Sequence, residues 1–387
     1  MNILFTSSAP FHPLRGGVGR VTDTLCRALQ KRGHKVWYLH HTWYAEDRKD
    51  FVYPAPTAVL PYENEDGDKN HQFYIKFLKE HAIDVVICQD ALFDLTFQQI
   101  DNLPIKVISV IHNNPLLDYN MLWHKLISLR NDSFIEQLKR IVRCCLYYRI
   151  KRQMWKHAVC HFGELNKLSN KILLLSPHYL PFIQRMNEQY LTKTGFIYNP
   201  NTYPLQFELP TQKQNEIIFV GRCSKIKRID RLLKVWNLLW KEFPTWHLTI
   251  IGDGGEKENL VKLTDKYRLG HVSFTGFQDP LPYYKRASIV CMTSDFEGFP
   301  MTLVEAMQFG CVPIAFSSFE SIYDTIIPGV TGEIVKPFDL KELRIKLSKL
   351  ICDNEYRERL SKASFEHVKQ FDVNQIVEQW ETLLKTL

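Results

Sequence analysis

Two carboxylates eight positions apart, Glu297 and Glu305, stand in the stretch Ser294–Gly310, which reads Ser-Asp-Phe-Glu-Gly-Phe-Pro-Met-Thr-Leu-Val-Glu-Ala-Met-Gln-Phe-Gly. An apolar run from Ala287 to Met292 leads into it and reads as a buried strand, so Glu297 and Gly298 fall at that strand's carboxyl end. Pro300 suits the first turn of a helix, and Gly310 suits its stop. The amides of that first turn make an anion site beside Glu297, with Glu305 one to two turns further in. An anionic group flanked by two carboxylates suggests a nucleotide. Phosphate would sit on the amides, one glutamate on a ribose diol and the other near a reacting sugar.

Further candidates lie at other strand ends. Gly221-Arg222 closes an apolar run, and Lys227 follows five residues after Arg222. Two permanent cations there suit a pyrophosphate whose charge grows as it leaves. The same segment also reads as a solvated basic turn, because Lys225, Lys227, Arg228 and Arg231 crowd it. Gly252-Asp253-Gly254-Gly255 permits a tight turn and by itself implies no more than that. Gly16-Gly17-Val18-Gly19-Arg20 precedes a helical pattern but lacks the full dinucleotide spacing, and no ribose-binding acid follows at the right offset. A glycine loop that lets backbone approach a ligand fits it better. His112 directly follows the apolar run Val107–Ile111, as either a site residue or a structural histidine.

The elements that must position these residues alternate along the chain. Short apolar runs (Ile3–Thr6, Lys35–His40, Val85–Cys88, Val107–Ile111) alternate with amphipathic stretches such as Val18–Lys31, the pattern of a parallel sheet covered on both faces. A second series begins at Glu216–Gly221, continues through a helix to Trp240, and adds His247–Ile251, Val272–Phe274, Ile289–Met292 and Val312–Ala315. The Pro-, Asn- and Gln-rich stretch Asn199–Asn215 separates the two series and reads as a linker. Two similar α/β domains are expected, 1–200 and 201–370, with 371–387 a helix packing back toward the first. Ligand would then lie outside the strands' carboxyl ends, in a cleft between the domains.

The charge is unevenly shared: 25 Lys/Arg face 18 Asp/Glu in residues 1–200, against 24 and 24 in 201–387. An anionic partner should therefore meet the first half. The nine cysteines show no metal-ligand or disulfide spacing, which points to a reducing compartment. No run approaches the ~18 apolar residues of a membrane span, so a cytoplasmic chain is expected, peripheral on the inner membrane face at most.

Gly16-Gly17, His112, Gly221-Arg222 with Lys227, Gly252-Asp253-Gly254, and above all Glu297 with Glu305, occur in an order that resembles the retaining glycosyltransferases of family 4. These have the GT-B fold, two Rossmann-like β/α/β domains facing across a deep cleft, and a pair of glutamates separated by seven residues. The likeness spans nearly the whole chain. It implies that Glu305 binds the donor ribose and that Glu297 stands beside the donor sugar. The backbone of Gly298, Phe299, Pro300, Met301, Thr302 and Leu303 would then lie near sugar and diphosphate. It further implies that Arg222 and Lys227 hold the departing diphosphate, with Asp253 and Gly252 on the neighbouring turn. Gly16 and Gly17 would approach the donor phosphate, His112 the reactive centre, and Gly276 with Phe277 the base.

No cofactor and no metal are expected, the nucleotide sugar being a co-substrate and UDP the favoured carrier. Asp66-Gly67-Asp68 resembles a metal-binding triplet, but it lies in a polar stretch without a preceding apolar strand and reads as a solvated loop. The expected product is a bacterial surface polysaccharide, built on a saccharide or lipid-linked saccharide acceptor held by the first domain. Residues 121–156 interleave nine Lys/Arg with aromatic and aliphatic side chains. They either rest on an anionic membrane surface or form a helix with a solvated basic face. Nucleic acid is a poor partner, for no recognition module appears. A nucleotide-sugar epimerase or hydrolase of the same fold remains the alternative, distinguished by conversion of the nucleotide sugar without acceptor. A phosphorylase would carry pyridoxal phosphate.

Overall fold

The computed structural model describes the chain except residues 15, 42–51, 62–66, 92–94, 117, 118, 120, 121, 123–141, 143–145 and 211. The described residues form two compact units, Met1–Ile197 together with Trp380–Leu387, and Tyr198–Gln379.

In the first unit the strands are β1 (Asn2–Ser7), β2 (Lys35–His40), β3 (Thr57–Val59), β4 (Val85–Cys88), β5 (Lys106–Ile111), β6 (Lys171–Leu174) and β7 (Thr194–Phe196). The helices are α1 (Gly17–Lys31), α2 (Gly67–Glu80), α3 (Tyr147–Leu168) and α4 (Leu180–Met186). All strand pairs are parallel, in the order β3-β2-β1-β4-β5-β6-β7. β1, β4 and β5 carry near-continuous apolar runs because the sheet is covered on both faces. On α1, Val21, Leu25 and Leu29 recur at four-residue spacing and bury one stripe. Arg32 and His34 just beyond it reach Glu381 near the C-terminus, at 2.7 and 3.5 Å.

The second unit repeats the plan. Its strands are β8 (Gln214–Val220), β9 (His247–Ile251), β10 (Val272–Gly276), β11 (Ala287–Met292), β12 (Val312–Phe316) and β13 (Glu333–Val335), parallel in the order β10-β9-β8-β11-β12-β13. Its helices are α5 (Ile229–Trp236), α6 (Lys257–Tyr267), α7 (Leu281–Arg286), α8 (Met301–Met307), α9 (Ile322–Thr325), α10 (Leu340–Cys352), α11 (Asn354–His367) and α12 (Val373–Thr386), the last ending in the first unit. Ile217, Phe219, Leu248 and Ile250 meet Leu232, Leu233 and Trp236 of α5 in one core. Each such side chain contributes about 1.5–3 kcal/mol by burial. In both sheets the strand order reverses next to the first strand, between β1 and β4 and between β8 and β11. Open doubly wound sheets bind ligands at the carboxyl ends flanking that reversal.

Four differences from the sequence expectations have physical causes. The strands β3, β6, β7 and β13 are only three or four residues long, too short to show a period. The helix expected to reach Trp240 stops as regular helix at Trp236, where the amides of Leu238 and Leu239 turn to carbonyls three residues back, Val235 O and Trp236 O. Asp68 opens α2, where an acidic residue in the first turn suits the helix dipole, and so does not lie in a loop; Asp66 lies outside the described residues. Finally, much of the stretch expected as a linker is docked. Asn201 Nδ2 donates to Val304 O at 3.3 Å, and Gln308 Nε2 donates to Pro204 O at 3.1 Å. A proline-rich segment has few backbone partners of its own, and these side-chain amides supply them.

Candidate active site

The carboxyl ends of β8 and β11 bring two loops together. After β8, Gly221–Arg228 turns through a 3₁₀ segment, Lys225–Lys227, and after β11 the chain runs from Thr293 to Pro300 before α8. The loops are stitched at several points. The Asp295 amide donates to Ile226 O at 2.7 Å, and Thr293 Oγ1 donates to Arg228 O at 3.0 Å. Arg231 Nη1 lies 2.5 Å from Asp295 Oδ1 with both side chains largely buried, and the guanidinium stacks 4.1 Å over the Phe338 ring. Arg228 pairs with Asp230 at 2.9 Å and reaches Asp295 at 3.4 Å. Of the basic cluster only Lys225 is exposed, and the other three cations are held by carboxylates. Its two arginines are structural ties, and Lys227 is set apart from them.

Lys227 Nζ donates to Glu297 Oε1 and Oε2 at 2.6 and 2.7 Å, and Ser294 Oγ donates to Oε1 at 2.6 Å. Two residues 70 positions apart thus form one ion pair where the sheet order reverses. Ser318 Oγ donates to Ser294 O at 2.7 Å and Ser321 Oγ to Gly298 O at 2.9 Å, which fixes the loop between them. Arg222 is exposed, and the base of its side chain passes over Gly254.

In the stretch Gly298–Leu303 the side chains of Phe299, Met301 and Leu303 are buried. Phe299 packs against Tyr198 and Phe371, with centroids at 5.9 and 5.5 Å. Not every amide there can serve a ligand: those of Met301 and Leu303 donate to Phe299 O and Pro300 O, both at 2.9 Å, and Pro300 has none.

Glu305 lies within α8 and is only 1% exposed. Thr202 Oγ1 donates to its Oε1 at 2.6 Å, and Tyr284 OH donates to its Oε2 at 2.9 Å. Neither hydroxyl carried a sequence signal. Thr202 sits in the supposed linker and Tyr284 in α7, and their only announcement is a buried carboxylate that must have donors.

The ends of β8, β9 and β10 approach backbone to backbone. Gly252 has φ +144° and bridges Gly276, and a Cβ on it would stand 2.0 Å from Gly221 O. Only glycine fits. Asp253 is exposed and turns to Lys257 at 2.8 Å, and Phe277 beside Gly276 is 59% exposed.

In the first unit, His112 follows β5, and its Nε2 meets Gln89 Oε1 at the end of β4. The amide oxygen accepts, so the ring is the neutral Nε2–H tautomer. Burial pushes the imidazole pKa down to about 4, with the Asp90 carboxylate opposing. Asp90 itself accepts from the Ser8 amide at 2.8 Å. Gly16 and Gly17 are exposed, with no atom within 4 Å of a Cβ built on either, whereas one on Gly19 would sit 2.5 Å from His12 O. Packing therefore explains Gly19 and leaves Gly16 and Gly17 unexplained.

No group of three or more potential metal ligands occurs among the described residues, and no described helix is long and apolar enough to cross a membrane. Of the basic segment 121–156, residues 121, 123–141 and 143–145 lie outside the described residues, including Lys125, Arg130, Lys139, Arg140 and Arg143. Its last part opens α3, where Tyr148, Arg149, Arg152 and Lys156 are exposed and Lys151 lies over the rings of Tyr119 and Tyr147.

Residues 205–367 match the family model of glycosyl transferases group 1, and residues 15–148 match that of glycosyltransferase family 4. An uncharacterized glycosyltransferase of Haemophilus influenzae is 31% identical, covering 95% of this chain and 96% of its own. The amylovoran biosynthesis glycosyltransferase AmsD of Erwinia amylovora is 26% identical over 56% of this chain and 62% of its own. Among solved structures, Anabaena HepE in complex with UDP-glucose covers all of both chains with a TM-score of 0.75 at 16% identity. The apo form of the lipopolysaccharide outer core galactosyltransferase WaaB does so with a TM-score of 0.72 at 19% identity. Likeness at that identity speaks for the architecture, the two Rossmann-like sheets of the GT-B fold.

Proposed function

This chain belongs to the family 4, group 1 glycosyltransferases, and from that premise we propose that it moves a hexose or N-acetylhexosamine from a UDP-sugar to a saccharide or lipid-linked saccharide, with retention of configuration and without a metal ion. The observation that carries the reading is the Lys227–Glu297 pair at the reversal between β8 and β11. An ammonium already gripped by a carboxylate is poised to exchange it for a diphosphate, whose charge grows as the anomeric C–O bond breaks. Arg222, exposed nearby, supplies a second cation. Glu297, released from Lys227, then faces the donor sugar. Glu305 accepts from the ribose hydroxyls, Gly276 and Phe277 border the base, and Gly16 and Gly17 bring bare backbone to the phosphate.

His112 acts as a neutral ring beside the reacting sugar. The departing phosphate oxygen takes the acceptor's proton as the new bond forms on the same face. A UDP donor is supported by the UDP-glucose complex of the structural neighbour, and a polysaccharide product by the amylovoran relative. The exposed basic and aromatic residues at the start of α3 would approach an anionic membrane carrying a lipid-linked acceptor. Flotation with anionic liposomes checks that part of the reading, and absence of salt-sensitive binding would remove it.

Glu305→Ala and Arg222→Ala are expected to cut transfer at least ~100-fold, since each interaction with developing or ribose contacts is worth several kcal/mol, while circular dichroism stays unchanged. Near wild-type turnover in both would sink the assignment. Transfer in excess EDTA should stay within about twofold of the untreated rate, because no step needs a metal ion. Thermal stabilisation by a panel of UDP- and GDP-sugars identifies the donor.

A further inference from the structure

The second sheet presents two chemically different faces. Ile217 and Phe219 of β8, Leu248 and Ile250 of β9, and Phe274 of β10 face the core under α5 and α10. Alternate residues on a strand point to the opposite face. There the same three strands carry Glu216, His247, Thr249, Ser273 and Thr275, with Ile218, Val220 and Ile251 following on the same face toward the carboxyl ends. Register sets them side by side, with Glu216 opposite His247 and Thr249 opposite Ser273. A parallel sheet ordinarily carries apolar residues on both faces, and placing carboxylate and hydroxyl groups there costs free energy. Folding alone does not call for this polar row. A cavity of about 380 Å³ opens over it, rimmed by Tyr283 and Arg286 of α7.

The groups within the cavity are already matched in charge. Arg286 Nε and Nη2 donate to Glu216 Oε2 and Oε1 at 2.7 and 3.0 Å, and Thr249 Oγ1 donates to Oε1 at 2.6 Å. Burial pushes the Glu216 carboxyl up, but these donors outweigh it and hold the group below its ordinary range. His247 Nε2 pairs with Ser273 Oγ at 2.7 Å, and burial lowers the imidazole pKa, so the ring is neutral at neutral pH. An entering anion would meet Glu216, and an entering cation would meet Arg286. The Ser273 and Thr275 hydroxyls and the His247 imidazole line the opening, and although each is already bonded within the protein, a hydroxyl oxygen keeps a lone pair to accept a further bond, beside the Tyr283 ring with Arg286 4.4 Å from its centre. This is the complement of a neutral polyol with one less polar face.

We infer that this cavity is a second carbohydrate site, which holds a neutral sugar residue of the growing acceptor glycan away from the transfer centre. Glu216 and Gly221 are five residues apart, so the Glu216 end of the cavity lies ~17 Å along the strands from the Arg222 loop, whereas its other end, at Thr275, adjoins Gly276. The proposed sugar sits at the Glu216 end, apart from the donor residues. A second foothold raises the effective concentration of a polymeric acceptor without altering the chemistry. The inference rests on family membership and not on the donor or mechanism proposed above.

The test uses the full chain on a printed array of neutral tri- to hexasaccharides from bacterial capsules and O-antigens. Wild-type protein should bind members of the array, and Ser273→Trp, which fills the cavity, should weaken that binding about tenfold, a loss of about 1.4 kcal/mol. Tyr283→Ala, which removes the rim ring with its contact to Arg286 and its hydrogen bond to Gln278, should weaken it in the same direction. UDP-induced thermal stabilisation, read in parallel, should be unchanged in both variants. That readout separates failure of this site from failure of the donor reading. No bound oligosaccharide, or binding undiminished in both variants while UDP still stabilises them, would overturn the inference.

Discussion

Tyr284→Phe probes how the buried Glu305 is held and what it is held for. The substitution removes one hydroxyl and keeps the ring, with its stacked contact to Phe309 (6.3 Å) and its edge contact to Tyr203 (6.0 Å). What is lost is the 2.9 Å hydrogen bond to Glu305 Oε2. A hydrogen bond to a charged group contributes about 1.5–3 kcal/mol, and at 1% exposure water cannot replace it. A domain of roughly 150–250 residues loses about 2–4 °C per kcal/mol, so the melting temperature should fall by about 3–12 °C. If a ribose hydroxyl enters the place the phenol oxygen vacates, a bound nucleotide returns a donor to the carboxylate. Saturating UDP should then stabilise the variant by more than it stabilises wild type, in melts followed by circular dichroism. In Glu305→Gln the extra gain should vanish. A variant that melts with wild type, or one in which UDP gives no larger stabilisation, would refute the reasoning.

Other consequences can be checked in the same way. Asp295→Asn weakens the tie to Arg231 and Arg228 and should cost about 3 kcal/mol, the penalty for disturbing a largely buried pair; an unmoved urea midpoint would contradict this. Gly252→Ala adds a Cβ 2.0 Å from Gly221 O at φ +144° and should cost more than ~3 kcal/mol, whereas Gly255→Ala, with open space around it, should be tolerated; equal soluble yields would count against the geometry. For His112 the folded pKa of about 4 lies below the ordinary 6.5, so between those values the unfolded chain binds the extra proton. Stability should therefore fall as pH drops from 6.5 to 4, by up to about 3 kcal/mol, and His112→Gln should flatten that part of the curve. An unchanged slope would remove the buried neutral ring from the account.

The readable parts of this chain were those where one local signal decides. Lys35–His40, Val85–Cys88 and His247–Ile251 were legible to the residue because each is a buried run between polar or glycine punctuation. Glu333–Val335 was not, since three residues cannot display a period. Of the site, the spacing of Glu297 and Glu305 was visible, and so was the cluster containing Lys227. Which cation meets Glu297 was not, because Lys227, Arg228 and Arg231 lie within five positions and only tertiary packing sends both arginines to Asp295. Thr202 and Tyr284 were invisible for a different reason. A lone hydroxyl has no pattern, and its role exists only once folding has buried the carboxylate it serves. The proline-rich stretch at 199–215 misled because its composition reports missing backbone partners, and Asn201 and Gln308 supply partners from their side chains.

The glycine contact at the ends of β8 and β9 bears on how such a protein is redesigned. Where main chain touches main chain, no side chain is present to exchange, so recognition there is fixed by the course of the backbone. A saturation library at Gly252, where any Cβ meets Gly221 O, would yield mostly collapsed chains and report nothing about donor choice. If Phe277, which is exposed, and Thr302 on α8 border the donor as proposed, diversity placed there instead would vary the ligand's surroundings while the frame holds. The invariant and the adjustable thus sit side by side, Gly276 next to Phe277, and a library that respects that border explores substrates without first losing the fold.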